Sequence, residues 1–86
     1  MDYTVYVIVN SKGRRYVGLS SDVVLRLEQH NRGKSNWTRG RGPWALQWTS
    51  SPMRLRDARQ LENLIKRQKG GDGLSKLLRV YGSSGS

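Results

Sequence analysis

The sequence predicts an α+β fold in which a small three-stranded antiparallel sheet is packed by helices, in the order ββαβαα. Two observations support this prediction. Near the N-terminus, residues 3–9 and 14–19 are rich in β-branched and aromatic residues and flank a turn, as in a β-hairpin. Further along, residues 22–31 and 54–68 carry apolar residues at helical spacing. A chain of 86 residues is long enough for one domain with a modest core.

The first predicted strand, YTVYVIV, is apolar on both faces of the period-two pattern, which is typical of a central strand covered on both sides. The turn segment NSKG follows, with Gly13 available for a positive φ, and RRYVGL supplies the second strand of the hairpin. The length of the turn decides whether the tyrosines of the two strands lie on the same face of the sheet. With three or five loop residues Tyr6 and Tyr16 share one sheet face, whereas four loop residues would place them on opposite faces.

The first predicted helix covers about residues 22–31 and begins at Ser20, Ser21 or Asp22, all of which are good N-cap residues. On this helix Arg26 and His30 lie one turn apart, because residues i and i+4 share a face. A helical wheel places both at the border of the apolar stripe rather than opposite it. The stripe consists of Val23, Val24 and Leu27.

Residues 32–42, RGKSNWTRGRG, form a Gly-rich segment with four positive charges and no negative one, which predicts an exposed loop. We call this segment the basic loop. Pro43 leads into a third strand, WALQWTS. There Trp44, Leu46 and Trp48 alternate with smaller or polar residues, so the pattern predicts one strongly apolar face.

A second helix is predicted from Arg54 to Gln68, with Gly70 and Gly71 at its C-terminus. A short last helix, SKLLRVY, closes the predicted domain. Glu62 falls inside the apolar arc of the second helix instead of on its basic outer face. Because burying an unpaired charge is costly, a carboxylate at this position requires a partner. The residues that form the arc are Leu55, Ala58, Leu61 and Ile65.

The charge of the chain indicates its class of partner. There are 16 Lys and Arg residues against 6 Asp and Glu, a formal net charge of +10. So strong a positive field on a small surface attracts polyanions, and nucleic acid is the leading partner. An anionic membrane or a ribosomal surface would attract the same charge. Affinity for phosphates carries no sequence information, so charge alone says nothing about chemistry.

The absence of cysteine excludes disulfides, and a lone histidine cannot build a zinc site. Any metal must be a hard cation held by oxygen. The N-terminal apolar run is too short to span a bilayer and lacks the features of a signal peptide, so we expect a cytoplasmic protein without membrane attachment. The low-complexity end GSSGS indicates a folded domain over residues 1–81 and a flexible tail over residues 82–86.

Several of these residues occur in an order that resembles the GIY-YIG nuclease superfamily, in particular its short single-domain members. The likeness runs from Tyr3 to about Leu78, and its one visible departure is Thr4 and Val5 in place of Gly-Ile before the first motif tyrosine. The resemblance implies a metal-dependent endonuclease that hydrolyses phosphodiester bonds. The matching residues are Tyr6, Tyr16-Val17-Gly18, Arg26, His30-Asn31, Gly33, Lys34, Glu62 and Lys66.

The resemblance assigns catalytic roles to four of these side chains. Tyr6 and Tyr16 would activate or orient the attacking water, although a free phenol, with a pKa of about 10, is a poor base near neutrality. Arg26 would hold the scissile phosphate with its planar fork, and His30 would orient Tyr16, contact phosphate or assist proton transfer. Each also has an ordinary structural explanation: strand tyrosines pack, helix arginines pair with acids and lone histidines are often structural.

Glu62 is the fifth catalytic candidate and the candidate metal ligand, for one Mg²⁺ or Mn²⁺ ion. One carboxylate, with water and substrate phosphate at the other positions, is the usual way in which Mg²⁺ is held. The alternative is an ion pair with Lys66 at i+4, which is worth roughly 0.2–0.5 kcal/mol on an exposed surface. Such a pair does not offset the cost of desolvating a carboxylate within an apolar arc, so the metal is favoured.

The predicted function is hydrolysis of DNA, or of RNA, by a tyrosine-linked water, with a protein partner as one route to its target. Trp37 could stack on an unpaired base, or it could cover the hydrophobic core. One alternative is a catalytically silent nucleic-acid-binding module of the same fold. A weaker one is a protein-interaction or ribosome-associated role. The residues predicted to contact nucleic acid are Lys34, Trp37, Arg39, Arg41 and Lys66.

Overall fold

The computed structural model of the protein describes residues 2–34, 37–68 and 71–82, the first two residues of the last range by their backbone alone. It confirms the α+β class and the order ββαβαα. The three strands form one antiparallel sheet in the order β2-β1-β3, so the first strand is central, as its two apolar faces predicted. The elements are β1 (Thr4–Asn10), β2 (Arg15–Ser20), α1 (Val23–Asn31), β3 (Trp44–Thr49), α2 (Leu55–Arg67) and α3 (Gly71–Tyr81).

The register of the β1–β2 hairpin places Tyr6 and Tyr16 on the same sheet face. Tyr6 pairs with Gly18, two residues from Tyr16, and neighbours two apart on a strand point the same way. The pairing extends to the backbone hydrogen bond from Asn10 N–H to the carbonyl of Arg14, at 3.0 Å, which leaves a loop of three residues. The last of these is Gly13, whose φ of 80° a side chain would disfavour.

A register shift in β3 separates its two tryptophans, so the prediction of one apolar face on this strand is wrong. Val7 pairs with Trp48, but the next residue of β1, Ile8, pairs with Leu46, which leaves Gln47 as an extra residue in β3. Such a β-bulge reverses the side-chain alternation on the bulged strand. Trp44 therefore packs on one face of the sheet and Trp48 on the other, while the side chain of Leu46 stays exposed.

Two hydrophobic clusters cover the two faces of the sheet. One joins Val5 to buried residues of α2 and α3, and the other joins Tyr6 and Ile8 to Trp44 and α1. Each fully buried aliphatic side chain contributes about 1.5–3 kcal/mol, so β1, buried on both sides, anchors the domain. No helix within the described residues is both long enough and apolar enough to cross a membrane.

Helix α1 begins as predicted, since the Asp22 carboxylate accepts a hydrogen bond from the backbone N–H of Leu25 at 3.0 Å. Its packed face differs from the prediction in two places. His30 is 1% exposed and lies within that face rather than at its border, whereas Val24 is 78% exposed. The packed row follows Val23, Leu27 and His30 at i, i+4 and i+7, and the histidine can occupy it because both ring nitrogens have partners.

Helix α2 ends at Arg67, three residues before the predicted glycine pair. Gly70 lies outside the described residues, and Gly71 begins α3 instead of ending α2, so α3 is longer than the sequence predicted. Of the predicted apolar arc, Leu55, the first residue of α2, is 40% exposed. The buried members of the arc are Ala58, Leu61 and Ile65.

The C-terminal end of the described chain is tied to the sheet. Gly82 forms an isolated antiparallel bridge with Ser50, directly after β3. The backbone N–H of Ser51 also donates to the carbonyl of Tyr81 at 3.1 Å. The rest of the predicted flexible tail, residues 83–86, lies outside the described residues.

Candidate active site

A chain of hydrogen bonds links three buried polar side chains from β1, α1 and the basic loop. The Tyr6 hydroxyl lies 2.8 Å from His30 Nε2, and Thr38 Oγ1 lies 2.8 Å from His30 Nδ1. All three side chains are almost completely buried. Leaving a buried polar atom unpaired costs about 1–3 kcal/mol, so these contacts fix the histidine ring relative to the tyrosine.

Gly18 makes the position of Tyr6 possible. A Cβ atom at Gly18 would lie 2.5 Å from the Tyr6 hydroxyl oxygen and 2.7 Å from Cζ of the ring. No side chain fits at these distances, so the ring of Tyr6 lies directly against the backbone of β2. In the sequence Gly18 is recognisable as part of the motif after Tyr16, but nothing there indicates its role in the site. Only the pairing of β1 with β2 shows what the glycine does.

Tyr16 borders the same site and is only partly buried. Its ring meets the His30 ring edge to face, with centroids 4.9 Å apart, and lies 6.5 Å from the ring of Tyr6. On its other side Trp37 is 5.5 Å away. Tyr16 therefore connects the buried Tyr6–His30 pair to the surface of the protein.

Arg26 brings a positive charge to the buried pair. Its Nη1 atom donates to the side-chain oxygen of Gln29 at 2.8 Å. The guanidinium also lies close enough to Tyr6 and His30 for its charge to act on the pKa of both. Half-buried on α1, with donors to spare, it has the geometry for a planar contact with a phosphate.

Glu62 turns inward from α2, as its position in the apolar arc predicted. Its side chain is 14% exposed, and Lys66 Nζ lies 3.3 Å from Oε2. The ion pair of the structural alternative is therefore present. The charge of the carboxylate also acts on the pKa of Tyr6, more weakly than burial, Tyr16 and Arg26 do. Glu62 is therefore paired with Lys66 and, at the same time, acts electrostatically on Tyr6.

Burial sets the protonation of the central pair at neutral pH. Loss of solvent, then the nearby Tyr16, raises the pKa of Tyr6 to about 12, with Arg26 acting in the opposite direction. Loss of solvent, then the charge of Arg26, lowers the pKa of His30 below its ordinary value of 6.5. Tyr6 is therefore a neutral phenol, and His30 is a neutral imidazole with one nitrogen able to accept a proton.

Glu62 is the carboxylate that this site offers to a metal ion. Among the described residues, no three His, Asp or Glu side chains cluster as candidate ligands. Glu62 fits the requirement for Mg²⁺ or Mn²⁺, whose remaining positions are commonly filled by water and substrate phosphate. Lys66 competes for the same carboxylate, but its side chain is half exposed and can move away.

The basic loop holds its aromatic residue in place and exposes its cations. Trp37 is 42% exposed and packs against Tyr16 and, at 6.1 Å, against Trp44. The guanidinium of Arg41 lies 5.1 Å from the ring of Trp37 and donates to its carbonyl oxygen at 2.6 Å. Arg39 Nε donates to the carbonyl of Gly33 at 2.9 Å, and the side chain of Lys34 is exposed.

The structure brings three of the five predicted site residues into contact, and the charges of the other two act on one of the three. Tyr6, Tyr16 and His30 are in direct contact, and Arg26 and Glu62 lie within electrostatic reach of Tyr6. Sequence reasoning missed Thr38, because a threonine in a loop of small and basic residues gives no signal of burial.

The chain belongs to the GIY-YIG family, since residues 2–74 match the family model of the GIY-YIG catalytic domain. This is a family of nuclease domains, and the class of substrate that it implies is nucleic acid. The resemblance drawn from the sequence motifs is confirmed.

Relatives of known sequence and structure agree with this placement. The chain is similar to the UPF0213 protein of Aeromonas salmonicida, at 36% identity over 67 residues, 77% of this chain and 49% of that relative. It is 41% identical to the UPF0213 protein of Halobacterium salinarum over 63 residues, 72% of this chain and 82% of that relative. The solution NMR structure of the UPF0213 protein of Bacillus halodurans matches with a TM-score of 0.56 and 29% identity, covering 98% of this chain and 89% of that one. The alignments span about half the length of several curated relatives.

Proposed function

We propose that this protein is a divalent-metal-dependent endonuclease that hydrolyses phosphodiester bonds in DNA. The single observation that carries the proposal is the 2.8 Å contact between the Tyr6 hydroxyl and His30 Nε2 beside the charge of Arg26. A buried tyrosine–histidine pair next to an arginine can move a proton and bind a phosphate at one place, which packing alone does not require.

The proton path supplies the base that a tyrosine lacks. With a pKa of about 12, Tyr6 cannot exist as a phenolate at neutral pH. Because its hydroxyl is buried, the attacking water must approach it from the side of Tyr16, and the hydroxyl can take a proton from that water only if it passes its own proton to His30 Nε2 in the same step. The lowered pKa of His30 keeps Nε2 free to accept this proton, provided that the other ring proton is on Nδ1 and points to Thr38. Tyr16, half-buried at the edge of the pair, orients the water.

Arg26 and Glu62 bind the two charged participants. A non-bridging oxygen of the scissile phosphate accepts hydrogen bonds from the Arg26 guanidinium, which places the phosphorus beside the partly buried Tyr16, where the Tyr6–His30 pair comes nearest to the surface. GIY-YIG nucleases generally depend on a divalent metal, and Glu62 would hold one Mg²⁺ or Mn²⁺ ion after its ion pair with Lys66 opens. When bound, the ion stabilises negative charge on the phosphate and on the leaving oxygen.

The experiment is a cleavage assay with labelled single-stranded, duplex and branched DNA, and with matching RNA, in the presence of Mg²⁺, Mn²⁺ or EDTA. We expect products that EDTA abolishes. Glu62→Gln and Tyr16→Phe should each reduce the cleavage rate at least ~100-fold, the scale of a lost charge-stabilising or proton-transfer contact.

The structure offers a matched control for each variant. Glu28→Gln removes another helix glutamate in an i,i+4 ion pair, with Arg32, but on an exposed surface. Tyr81→Phe changes a tyrosine at the end of α3. Both controls should cut at the wild-type rate. If Glu62→Gln and Tyr16→Phe also cut at that rate, the proposed mechanism is wrong.

The rival reading is a nucleic-acid-binding module without turnover. The observation that favours this rival is the Glu62–Lys66 ion pair, in which Lys66 binds the carboxylate that would otherwise hold the metal. Salt-sensitive binding with no product under any metal condition would support this rival.

A further inference from the structure

A cleft of about 510 Å³ lies beside the candidate site, between β2, Trp37 of the basic loop, and the helices α2 and α3. Its size is within the range of small-ligand pockets. Tyr16 and Trp37 supply aromatic wall, and Ile65 and Leu74 supply aliphatic surface. This cleft is separate from the hydrogen-bonded pair of Tyr6 and His30, neither of which lines it.

The aromatic wall packs against neighbouring side chains although it remains accessible. Trp37 contacts Tyr16, Trp44 and the Arg41 guanidinium, yet 42% of its surface is exposed. A large aromatic residue packed against three neighbours and still open to solvent provides a flat stacking surface for a planar ligand.

The charge at the cleft selects a ligand that is both flat and anionic. Arg15 and Lys66 line it, and none of its described lining residues is acidic. A purely apolar ligand would not interact favourably with the two cations, and a free phosphate would not stack on the aromatic wall. An unpaired nucleobase with a phosphate on either side satisfies both requirements, since the base stacks and the phosphates meet the cations.

The cleft adjoins the candidate site without including its buried pair. Tyr16 borders both, and Lys66, which lines the cleft, is paired with Glu62 at 3.3 Å. A strand with its scissile phosphate at Arg26 would therefore bring a neighbouring nucleotide to the cleft. A base within a duplex is stacked and paired on its own helix and reaches such a cleft only after unpairing, which costs a few kcal/mol.

We propose that this cleft binds one unpaired base next to the scissile phosphate, so that the preferred substrate is a DNA strand that is single-stranded or unpaired at the cleavage position. This inference rests on the proposed function for the position of the strand. Trp37 and Tyr16 form the stacking surface, and Arg15 and Lys66 bind the flanking phosphates.

The binding test uses a 12-nucleotide single-stranded DNA that contains the fluorescent base 2-aminopurine, with wild-type protein in EDTA so that no cleavage occurs. Stacking in the cleft should quench the fluorescence. Trp37→Ala should abolish the quenching and weaken binding roughly 10-fold or more, whereas Trp37→Phe, which keeps an aromatic ring, should retain most of both. Tyr81→Ala is the matched control, because Tyr81 is an aromatic residue with 41% exposure outside the cleft.

A second arm requires no variant and uses cleavage in Mg²⁺. The wild-type protein should cut the single strand faster than the duplex, and should lose at least ~10-fold in rate when the nucleotide beside the cleavage position is abasic. If the abasic and intact strands are bound and cut equally, or if Trp37→Ala and Tyr81→Ala behave alike, the inference is overturned. Quenching and cleavage with RNA of the same sequence, but not with DNA, would overturn the assignment of DNA as the substrate.

The two arms separate this inference from the proposed function. Quenching that depends on Trp37, together with no cleavage of any substrate, would support the base-binding cleft and refute the nuclease. Metal-dependent cleavage that ignores the missing base would support the nuclease and refute the cleft.

Discussion

Replacing Thr38 by valine removes one buried hydroxyl from the candidate site and nearly preserves the shape of the side chain. Thr38 Oγ1 lies 2.8 Å from Nδ1 of His30, which is 1% exposed. Without the hydroxyl, residue 38 can neither donate a hydrogen bond to His30 Nδ1 nor accept one from it. A buried polar atom left in this way costs about 1–3 kcal/mol. In a domain of this size each kcal/mol shifts the melting temperature by roughly 4–8 °C, so a drop of about 4–24 °C is expected.

The same substitution should change the tautomer of His30. The proposed proton path needs the proton on Nδ1, where it donates to Thr38 and leaves Nε2 to accept from Tyr6. Thr38→Val removes the acceptor for that proton and therefore favours protonation at Nε2, with Nε2–H donating to the Tyr6 oxygen. Because the chain has a single histidine, its ¹⁵N NMR signals report the tautomer without ambiguity.

Thr38→Ser is the control, since serine keeps the hydroxyl and loses one methyl group, about 0.8 kcal/mol of burial. It should retain the wild-type tautomer, whereas Thr38→Val should lose it together with kcat and change KM little, because the phosphate contact of Arg26 remains. A wild-type protein with its proton on Nε2 would refute the proton path. A valine variant as stable as wild type would refute the importance of the hydroxyl.

Two further predictions concern the packing and the titration of the same pair. Gly18→Ala places a Cβ 2.5 Å from the Tyr6 hydroxyl oxygen, so the buried ring must move away from His30. We expect the free energy of unfolding, measured by chemical denaturation, to fall by about 1–3 kcal/mol. For the titration, burial and then Arg26 lower the pKa of His30 below 6.5, so the folded protein binds this proton less readily than the unfolded chain. The contribution of His30 to the free energy of unfolding is therefore complete above pH 6.5 and is lost as the pH falls below that value. Melting temperatures measured on both sides of pH 6.5 should detect this loss.

Each of these two predictions has a direct check. If the clash with the ring is the cause, Gly18→Ala should cost less in a Tyr6→Leu background than in the wild type, and equal costs would contradict this explanation. For the histidine, an NMR titration of its single ring should give a midpoint below 6.5. A midpoint at or above that value would contradict the assignment of burial as the dominant effect.

The sequence determined the strands and helices and their order, because these depend on patterns of neighbouring residues. Alternation and β-branched residues predicted the strands, Asp22 predicted the start of α1, and a carboxylate within an apolar arc predicted that Glu62 turns inward. These features depend on residues within a few positions of one another along the chain, where periodicity and capping are decisive. The family motifs added the candidate site residues, of which Tyr6, Tyr16 and His30 are in contact.

Only the tertiary structure decided how these residues contact one another. The bulge at Gln47 sends the tryptophans of β3 to opposite faces, and it exists only in the pairing of β3 with β1. The burial of His30 depends on Tyr6, 24 positions away, and on Thr38 in a loop without a recognisable pattern. A polar side chain enters a core when partners from distant segments satisfy all of its polar atoms, and no local pattern records where those partners will lie.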